Sequence, residues 1–322
     1  MEKLRVLVTG ASGFIGRNIH EALQGRDDID VVGLTNSRVL SGTRRVDLTD
    51  RQQVATAVRG TDVIVHAAAK SSGSSDIINH PEMHVAGNII INTLLFEAAH
   101  NAGVGHVIFL SSGVVYPQRT AAHVFAEGDV DLRDGFFPNY FGVGWMKICA
   151  EKLAEFYSRL GRTRYTVVRP SNVYGPHDKF DLEHSHVFGA TVAKIMAARD
   201  GEDLSVWGDG SPERDLLYVS DLCAFISSVI DHVRQGSLPP HDVVNVAAGT
   251  AVSIGELVMR IIKASEKTLG VTYDRSKPTI PTKVCFDITK AREIYGWSPR
   301  VTLDQGIEQT LAWYKQVCPE EL

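Results

Sequence analysis

Cysteine is scarce. The chain has four in 322 residues, and Cys149, Cys223, Cys285 and Cys318 stand far apart, without metal-type spacing. A disulfide framework is therefore not what organises it. With no basic leader or cleavable apolar segment before the first strand pattern, the expectation is a cytoplasmic protein. No apolar run is long enough to span a bilayer, so no membrane partner is expected. Positive charge is not in excess either. Lysine and arginine number 33 against 38 aspartate and glutamate, a net charge of -5, which gives no broad basic field for nucleic acid. The 12 histidines are not paired with carboxylates or cysteines at ligand spacing. Even the densest cluster, HDKFDLEHSH (177–186), reads as a substrate loop, and no metal site is expected. Repeats, low-complexity tracts and long linkers are missing too. What is present is an ordinary globular balance, 44% hydrophobic and 22% charged, in a chain long enough for a large core with a smaller lobe added.

Strands and helices alternate through the first half. LRVLVT (4–9) is a short apolar run ending in a glycine-rich turn, which reads as a buried parallel strand. IGRNIHEALQ follows with Ile15, Ile19 and Leu23 at helical spacing. VVGL (31–34), DVIVHAAA (62–69) and HVIFLSS (106–112) read as further strands. IINTLLFEAAHNAG (90–103) and GWMKICAEKLAEFYSRLG (144–161) read as helices closed by glycine, and RYTVVRPSNVYGP (164–176) as a strand running into a loop. This alternation predicts an α/β protein with a Rossmann-type doubly wound parallel sheet. After residue 176 the chain turns polar and loop-rich around one helix. VVNVAAG (243–249) returns to strand character, and from Ser253 the order is helix, basic loop, terminal helix. The expected division is a dinucleotide-binding domain over 1–176, with 216–249 packing back on it. A smaller, partly discontinuous substrate lobe takes 177–215 and 250–322. KSSGSSD (70–76) reads as a small flexible segment.

VTGASGFIG (8–16) carries the first chemical signal. Gly10 supplies the backbone angles of a tight turn, Gly13 lets the backbone approach a pyrophosphate, and Gly16 lets the helix pack close to the strand. The helix N-terminus adds amide donors and a favourable dipole. The turn follows a strand and opens a helix, the context that a dinucleotide site requires. At the end of the second strand, Thr35, Asn36, Ser37 and Arg38 include no carboxylate. That favours a 2′-phosphorylated cofactor, although Arg38 reads equally as a solvated loop charge. Asp47 stands where a carboxylate could accept from an adenine amino group, or could cap the helix that starts near Thr49.

Together these stretches resemble the extended short-chain dehydrogenase/reductase family that modifies sugar nucleotides. The resemblance runs in order through VTGASGFIG, DVIVHAAA, the helix with Asn92, FLSSGVVYP, Lys147 with Glu151, VVRPSNVYGPHD, SVWGDGSPERDLLYVSDL and GWSPRVTLDQGI. RPSNVYGPHDKFDLEHSHVFGA is most similar to the GDP-fucose synthase branch, which implies a GDP-linked sugar substrate. For an NAD(P) cofactor the resemblance implies contacts from Gly10, Ser12, Gly13, Phe14, Ile15, Gly16, Asn36, Arg38, Asp47, Leu48, Ala67, Ala68, Ala69, Lys147, Pro170, Asn172 and Val173. Arg214 matches the arginine that grips the sugar-nucleotide diphosphate, a task suited to its bidentate fork. Asn172 is expected at the substrate, Val206 and Trp207 beside the base, and Lys283 at the diphosphate or a ribose. A homodimer is implied through the helices containing 90–102 and 144–160.

In that family a serine, a tyrosine and a lysine act together on a sugar oxygen. Ser112 matches the serine, and Lys147 the lysine, its register fixed by Glu151 one turn later. The tyrosine position is then Val143, which cannot transfer a proton. The branch also uses a cysteine and a histidine at the sugar carbons. Val114 takes the place of the cysteine, while His186 is kept, with an unperturbed pKa suited to acid–base work near neutrality. Tyr140, Tyr116, Lys147 itself, a substrate hydroxyl or an ordered water all stand as substitutes for the phenol, and the residues leave that choice open. Three readings follow: an epimerase or reductase working through a keto intermediate, an epimerase or dehydratase with tightly held, recycled NAD and a base other than tyrosine, or a non-catalytic nucleotide-sugar-binding relative.

Overall fold

The computed structural model describes residues 2–71, 77, 79–117, 119, 123–133, 135–136, 138–182, 185–277, 279 and 282–318. Of the KSSGSSD stretch, 72–76 lie outside them. Seven strands form one parallel sheet in the order β11–β7–β5–β4–β1–β2–β3. They are β1 (Leu4–Thr9), β2 (Ile29–Thr35), β3 (Thr43–Arg45), β4 (Val63–His66), β5 (His106–Leu110), β7 (Arg164–Pro170) and β11 (His241–Val246). The chain winds outward from β1 through β2 to β3, then returns to β4 on the other side. That reversal between β1 and β4 opens a crevice at the carboxyl ends of the strands.

Both faces of the sheet are covered, as parallel pairing requires. Alternate residues of each strand therefore serve different cores. Val6 and Val8 of β1 face a core built with α1 (Phe14–Gln24) and α6 (Val219–Gln235), where Ile19, Leu23, Leu222, Phe225 and Val229 are buried. Leu7 faces the opposite core, made with α2 (Arg51–Ala57), α3 (Ala86–Ala102) and α4 (Phe141–Arg159). Gly103 closes α3 in the left-handed conformation at φ 71° and satisfies the Ala99 and His100 carbonyls.

A third core holds the lobe. β8 (Asn172–Tyr174), β10 (Glu213–Tyr218) and β12 (Ala251–Ser253) form a small sheet, and β9 (Asp203–Trp207) pairs with β13 (Gly270–Asp274). α5 (Val187–Ala197), α7 (Ile254–Ser265) and α9 (Leu303–Val317) pack Phe188, Leu257, Ile261, Leu311 and Tyr314 around them. β6 (His123–Phe125) pairs with β14 (Val284–Phe286). Ala291 and Tyr295 of α8 (Thr289–Tyr295), with Trp297, pack in the first core although they follow residue 250.

One buried ion pair crosses this frame. Arg169 of β7 donates Nε and Nη2 to the Glu151 carboxylate of α4 at 3.1 and 2.7 Å. The two side chains are only 5% and 6% exposed. Ser111 donates Oγ to the same carboxylate. Arg169 Nη1 donates to the Tyr116 hydroxyl and the Glu127 carbonyl, and Tyr116 donates to Asn245 Oδ1 on β11. Removing one partner leaves an uncompensated buried charge. Glu151→Ala is therefore expected to lower unfolding stability by about 3–5 kcal/mol in urea titration; a loss within experimental error would remove the pair from its structural role.

Candidate active site

The glycine turn lies at the β1–α1 junction. Gly10 has φ +71°, and a Cβ there would stand 2.8 Å from Ala68 Cα. A Cβ on Gly16 would stand 2.2 Å from the Gly10 carbonyl oxygen. Gly13 is different. It is exposed, and its only close neighbour would be the Gly10 oxygen at 3.3 Å. Gly10 and Gly16 are thus closed by the protein, and Gly13 faces the open mouth. Gly13 is also the N-cap of α1 and makes no side-chain cap bond, so the first amides of the helix are left for an anion. The cradle fits a dinucleotide diphosphate. Ser12, Phe14 and Ile15 are part-buried around it, and Ala67, Ala68 and Ala69 border it beyond β4.

A buried chain of hydrogen bonds fixes this border. The Ala68 N–H donates to Thr9 Oγ1 at 3.1 Å, Thr9 bonds His66 Nδ1 at 2.8 Å, and His66 Nε2 bonds Asn92 Oδ1 at 2.9 Å. Since Asn92 Oδ1 only accepts, Nε2 carries the proton and Nδ1 accepts from Thr9. Burial, despite the Asn92 bond, pushes the His66 pKa down to about 3, so the ring is neutral. Asn92 Nδ2 reaches Met146 Sδ at 3.7 Å, which ties the border to α4 beside Lys147.

At the adenine edge, Asn36 and Arg38 are exposed and Leu48 is buried. Asp47 does not cap the second helix. Its Oδ1 accepts from the N–H and hydroxyl of Thr49, and Asp50 is the cap, accepting from Gln52 and Gln53.

The expected reacting groups meet where α4 packs on the end of β5. Lys147 donates Nζ to the Leu110 carbonyl at 2.8 Å, two residues before Ser112. Desolvation, partly opposed by Glu151, pushes its pKa down to about 8. Ser112 caps a short turn over Gly113–Val115 and accepts the Val114 N–H at 3.3 Å. Val143 is part-buried in the first turn of α4, one turn before Lys147. Tyr140 precedes the helix as its N-cap. Burial raises the pKa of its phenol, and the charge opposing that is the Arg214 guanidinium across the cleft. Tyr116 does not lean in. It is 3% exposed, and its hydroxyl is engaged by Arg169 and Asn245.

The lobe supplies the other wall. Asn172 opens β8 next to the buried Pro170, and donates Nδ2 to the Asp215 carbonyl at 3.3 Å, beside Arg214 on β10. Val173 packs on the first core. Arg214 donates Nη1 to the Glu213 and Thr282 carbonyls at 2.8 and 3.0 Å. Lys283 pairs with Glu213 at 3.0 Å. Val206 and Trp207 part company: Val206 is 7% exposed in the lobe core, and Trp207 is 45% exposed with Lys194 and Lys277 near its ring. Alternation along β9 sends neighbours to opposite faces, so Val206 is a core residue and only Trp207 reaches the surface. His186 begins α5. The residue is solvent-exposed at the start of the helix, yet local desolvation, then Lys179 and His84, lower its pKa. His84 is a buried histidine that sequence reasoning passed over, because nothing marks the short turn Pro81–His84 that brings it there.

A Rossmann sheet with a glycine-turn cradle, and a helix lysine bonded to the end of the neighbouring strand β5, is the arrangement of a dinucleotide-binding fold class. The chain belongs to the NAD dependent epimerase/dehydratase family, whose model matches residues 6–247. GDP-L-fucose synthase of Escherichia coli (strain K12) is 30% identical over 98% of this chain and 97% of that one. GDP-L-colitose synthase of Yersinia pseudotuberculosis is 28% identical over 97% and 98%. The fold is also that of the UDP-glucose 4-epimerase of Thermotoga maritima solved with UDP-glucose, at TM-score 0.84 and 23% identity over 97% and 99% of the two chains.

The two glycines separate binding from folding. Gly13→Val is expected to keep the melting temperature within a few degrees and to abolish dinucleotide binding in calorimetric titration. Gly16→Val is expected to unfold or strongly destabilise the chain. Unchanged binding by Gly13→Val would sink the cradle assignment.

Proposed function

We propose that this chain is an NAD(P)-dependent enzyme acting on a GDP-linked sugar, as a reductase or as an epimerase working through a keto intermediate. The observation that carries the reading is Lys147, a desolvated ammonium held on the strand end that leads to Ser112. Burying an ammonium costs stability that a merely structural site would avoid. The names of the GDP-L-fucose and GDP-L-colitose synthases, related along nearly the whole chain, support the GDP link. Arg38, with no carboxylate from Asn36 to Arg38, favours a 2′-phosphate on the cofactor.

When bound, the nicotinamide supplies the redox chemistry at the sugar carbon. Lys147 holds the nicotinamide ribose and, with a pKa of about 8, exchanges a proton near neutrality. Ser112 orients the sugar oxygen, and His186 moves a proton at a sugar carbon. Arg214 grips the diphosphate, with Tyr140 against it, Asn172 and Lys283 at the same mouth, and Trp207 beside the base. Val143 leaves the usual phenol position apolar, so Lys147 and His186 carry the proton work.

Two copies pair, in this reading, along α3 and α4. Ile89, Ile90, Trp145 and Phe156 are 37%, 44%, 41% and 52% exposed there, an apolar face that a lone subunit leaves in water. Sedimentation equilibrium should return twice the chain mass; a monomer at micromolar concentration would refute the pairing.

The function itself is tested by incubating wild type and Val143→Tyr with GDP-, UDP-, dTDP- and CDP-sugars, with either cofactor, and following products by NMR in deuterated water. The expected result is slow conversion of a GDP-sugar by wild type, accelerated about tenfold or more by the restored phenol, since a positioned acid–base group contributes about 10²–10⁴-fold. Tight binding without conversion by either protein would make the chain a nucleotide-sugar-binding relative.

A further inference from the structure

The segment after β8 crosses the carboxyl end of the sheet above the glycine turn, and three contacts fix its course. Asn18, in the second turn of α1, donates Nδ2 to the Phe14 and Pro176 carbonyls, both at 2.9 Å. His177, held at φ 69°, sets Nε2 3.4 Å from Glu21 of the same helix. Lys179 donates Nζ to the Ser71 carbonyl at 3.0 Å, two residues beyond Ala69. Asp178 is therefore bracketed. On one side are Pro176 and His177, tied to Asn18 and Glu21 along α1, and on the other is Lys179, tied to the loop beyond the alanines. The segment thus bridges α1, which opens at the glycine turn, and the loop that follows the alanine border of the cradle.

The carboxyl of Asp178 is only half used. Its Oδ1 accepts the Lys179 N–H at 2.8 Å. Its Oδ2 is buried and has no hydrogen-bond partner among the described residues. Buried polar atoms in folded proteins are nearly always paired, so an orphan beside a ligand channel points to a partner that the ligand supplies. We propose that Asp178 is a cofactor-binding residue whose carboxylic acid form donates a hydrogen bond from Oδ2 to an oxygen of the dinucleotide diphosphate. This rests on the dinucleotide reading above and adds a residue to it. An ionised carboxylate would repel the diphosphate, whereas the acid form donates to it. Burial pushes the Asp178 pKa up to about 7, against the Lys179 N–H and ammonium. The other charges facing the segment are Glu21 and Arg17 of α1, with Arg38 near His177.

The sign follows from linkage. If only the acid form binds, affinity is full below about pH 7 and falls up to tenfold for each further pH unit. Binding of NADH and NADPH is measured by fluorescence at about pH 6 and about pH 8.5 for wild type and Asp178→Asn. The asparagine keeps an N–H donor but cannot ionise, and every other titrating group, including those of the ligand, is common to both proteins. Wild type should lose about ten- to thirtyfold in affinity relative to Asp178→Asn across that interval. Parallel profiles for the two proteins would overturn the inference. Absence of dinucleotide binding by wild type at either pH would overturn it together with the dinucleotide reading. Calorimetry of wild type at about pH 8 in two buffers of different ionisation enthalpy gives a check without a variant: uptake approaching one proton on binding is expected, and zero uptake would also overturn it.

Discussion

The Glu151–Arg169 pair is the constraint on which the site depends. Two charged side chains, each almost wholly buried, hold together elements that reach the site from distant parts of the chain. Glu151 belongs to the helix that carries Lys147, Arg169 to the strand after it, and Ser111 to the strand end that carries Ser112. Through Tyr116 and Asn245 the same network reaches the far edge of the sheet. Such a pair is weak evidence for net stability, because desolvating both charges offsets much of their attraction. Its worth is in register. Glu151 stands one helical turn after Lys147, so locking Glu151 under β7 sets which face of α4 looks into the cleft, and Lys147 follows.

A second chain, Ala68–Thr9–His66–Asn92, does the same for the cofactor border. Its members are satisfied only with a neutral His66 in one tautomer. Burial holds the ring in that state through the physiological range. The border therefore has no titrating member of its own, and pH sensitivity in this cleft falls to other groups, among them Lys147, His177, His186 and Asp178. Of these, Lys147, His177 and His186 lie with pKa values below their ordinary ones and Asp178 above.

Legibility in the sequence followed the range of the interaction. The parallel sheet and glycine turn were readable because the causes are local: alternating buried strands, and glycines whose Cβ atoms would strike Ala68 or Gly10. Lys147 was readable through its one-turn spacing to Glu151. Other residues were not. Tyr116 and Asn245 meet across 129 positions of chain, so nothing near Tyr116 shows that its hydroxyl is engaged. Val206 and Trp207 look alike as apolar neighbours, and only the strand register separates the core residue from the exposed one. Asp47 and Asp50 are both plausible caps, and the choice turns on where the helix begins. His84 and Asp178 acquire their surroundings from segments tied together by backbone carbonyls, which a side-chain pattern does not record.

Val143 then has a physical consequence beyond a missing proton donor. In this arrangement a phenol beside Lys147 would share the ammonium's field and lower the cost of burying it. With valine there, the ammonium is left with the Leu110 carbonyl, the ring of Phe109 at 5.1 Å and the more distant Glu151 carboxylate. Desolvation wins over these partners, which is why the pKa falls to about 8 rather than staying near its ordinary value. Desolvation thus brings the amine nearer neutrality than an exposed lysine would be. A site that had simply decayed would be under no pressure to keep a desolvated ammonium. In the proposed reading, Lys147 works with Ser112, His186 and Arg214, and the proton chemistry lies with amine and imidazole rather than with a phenol.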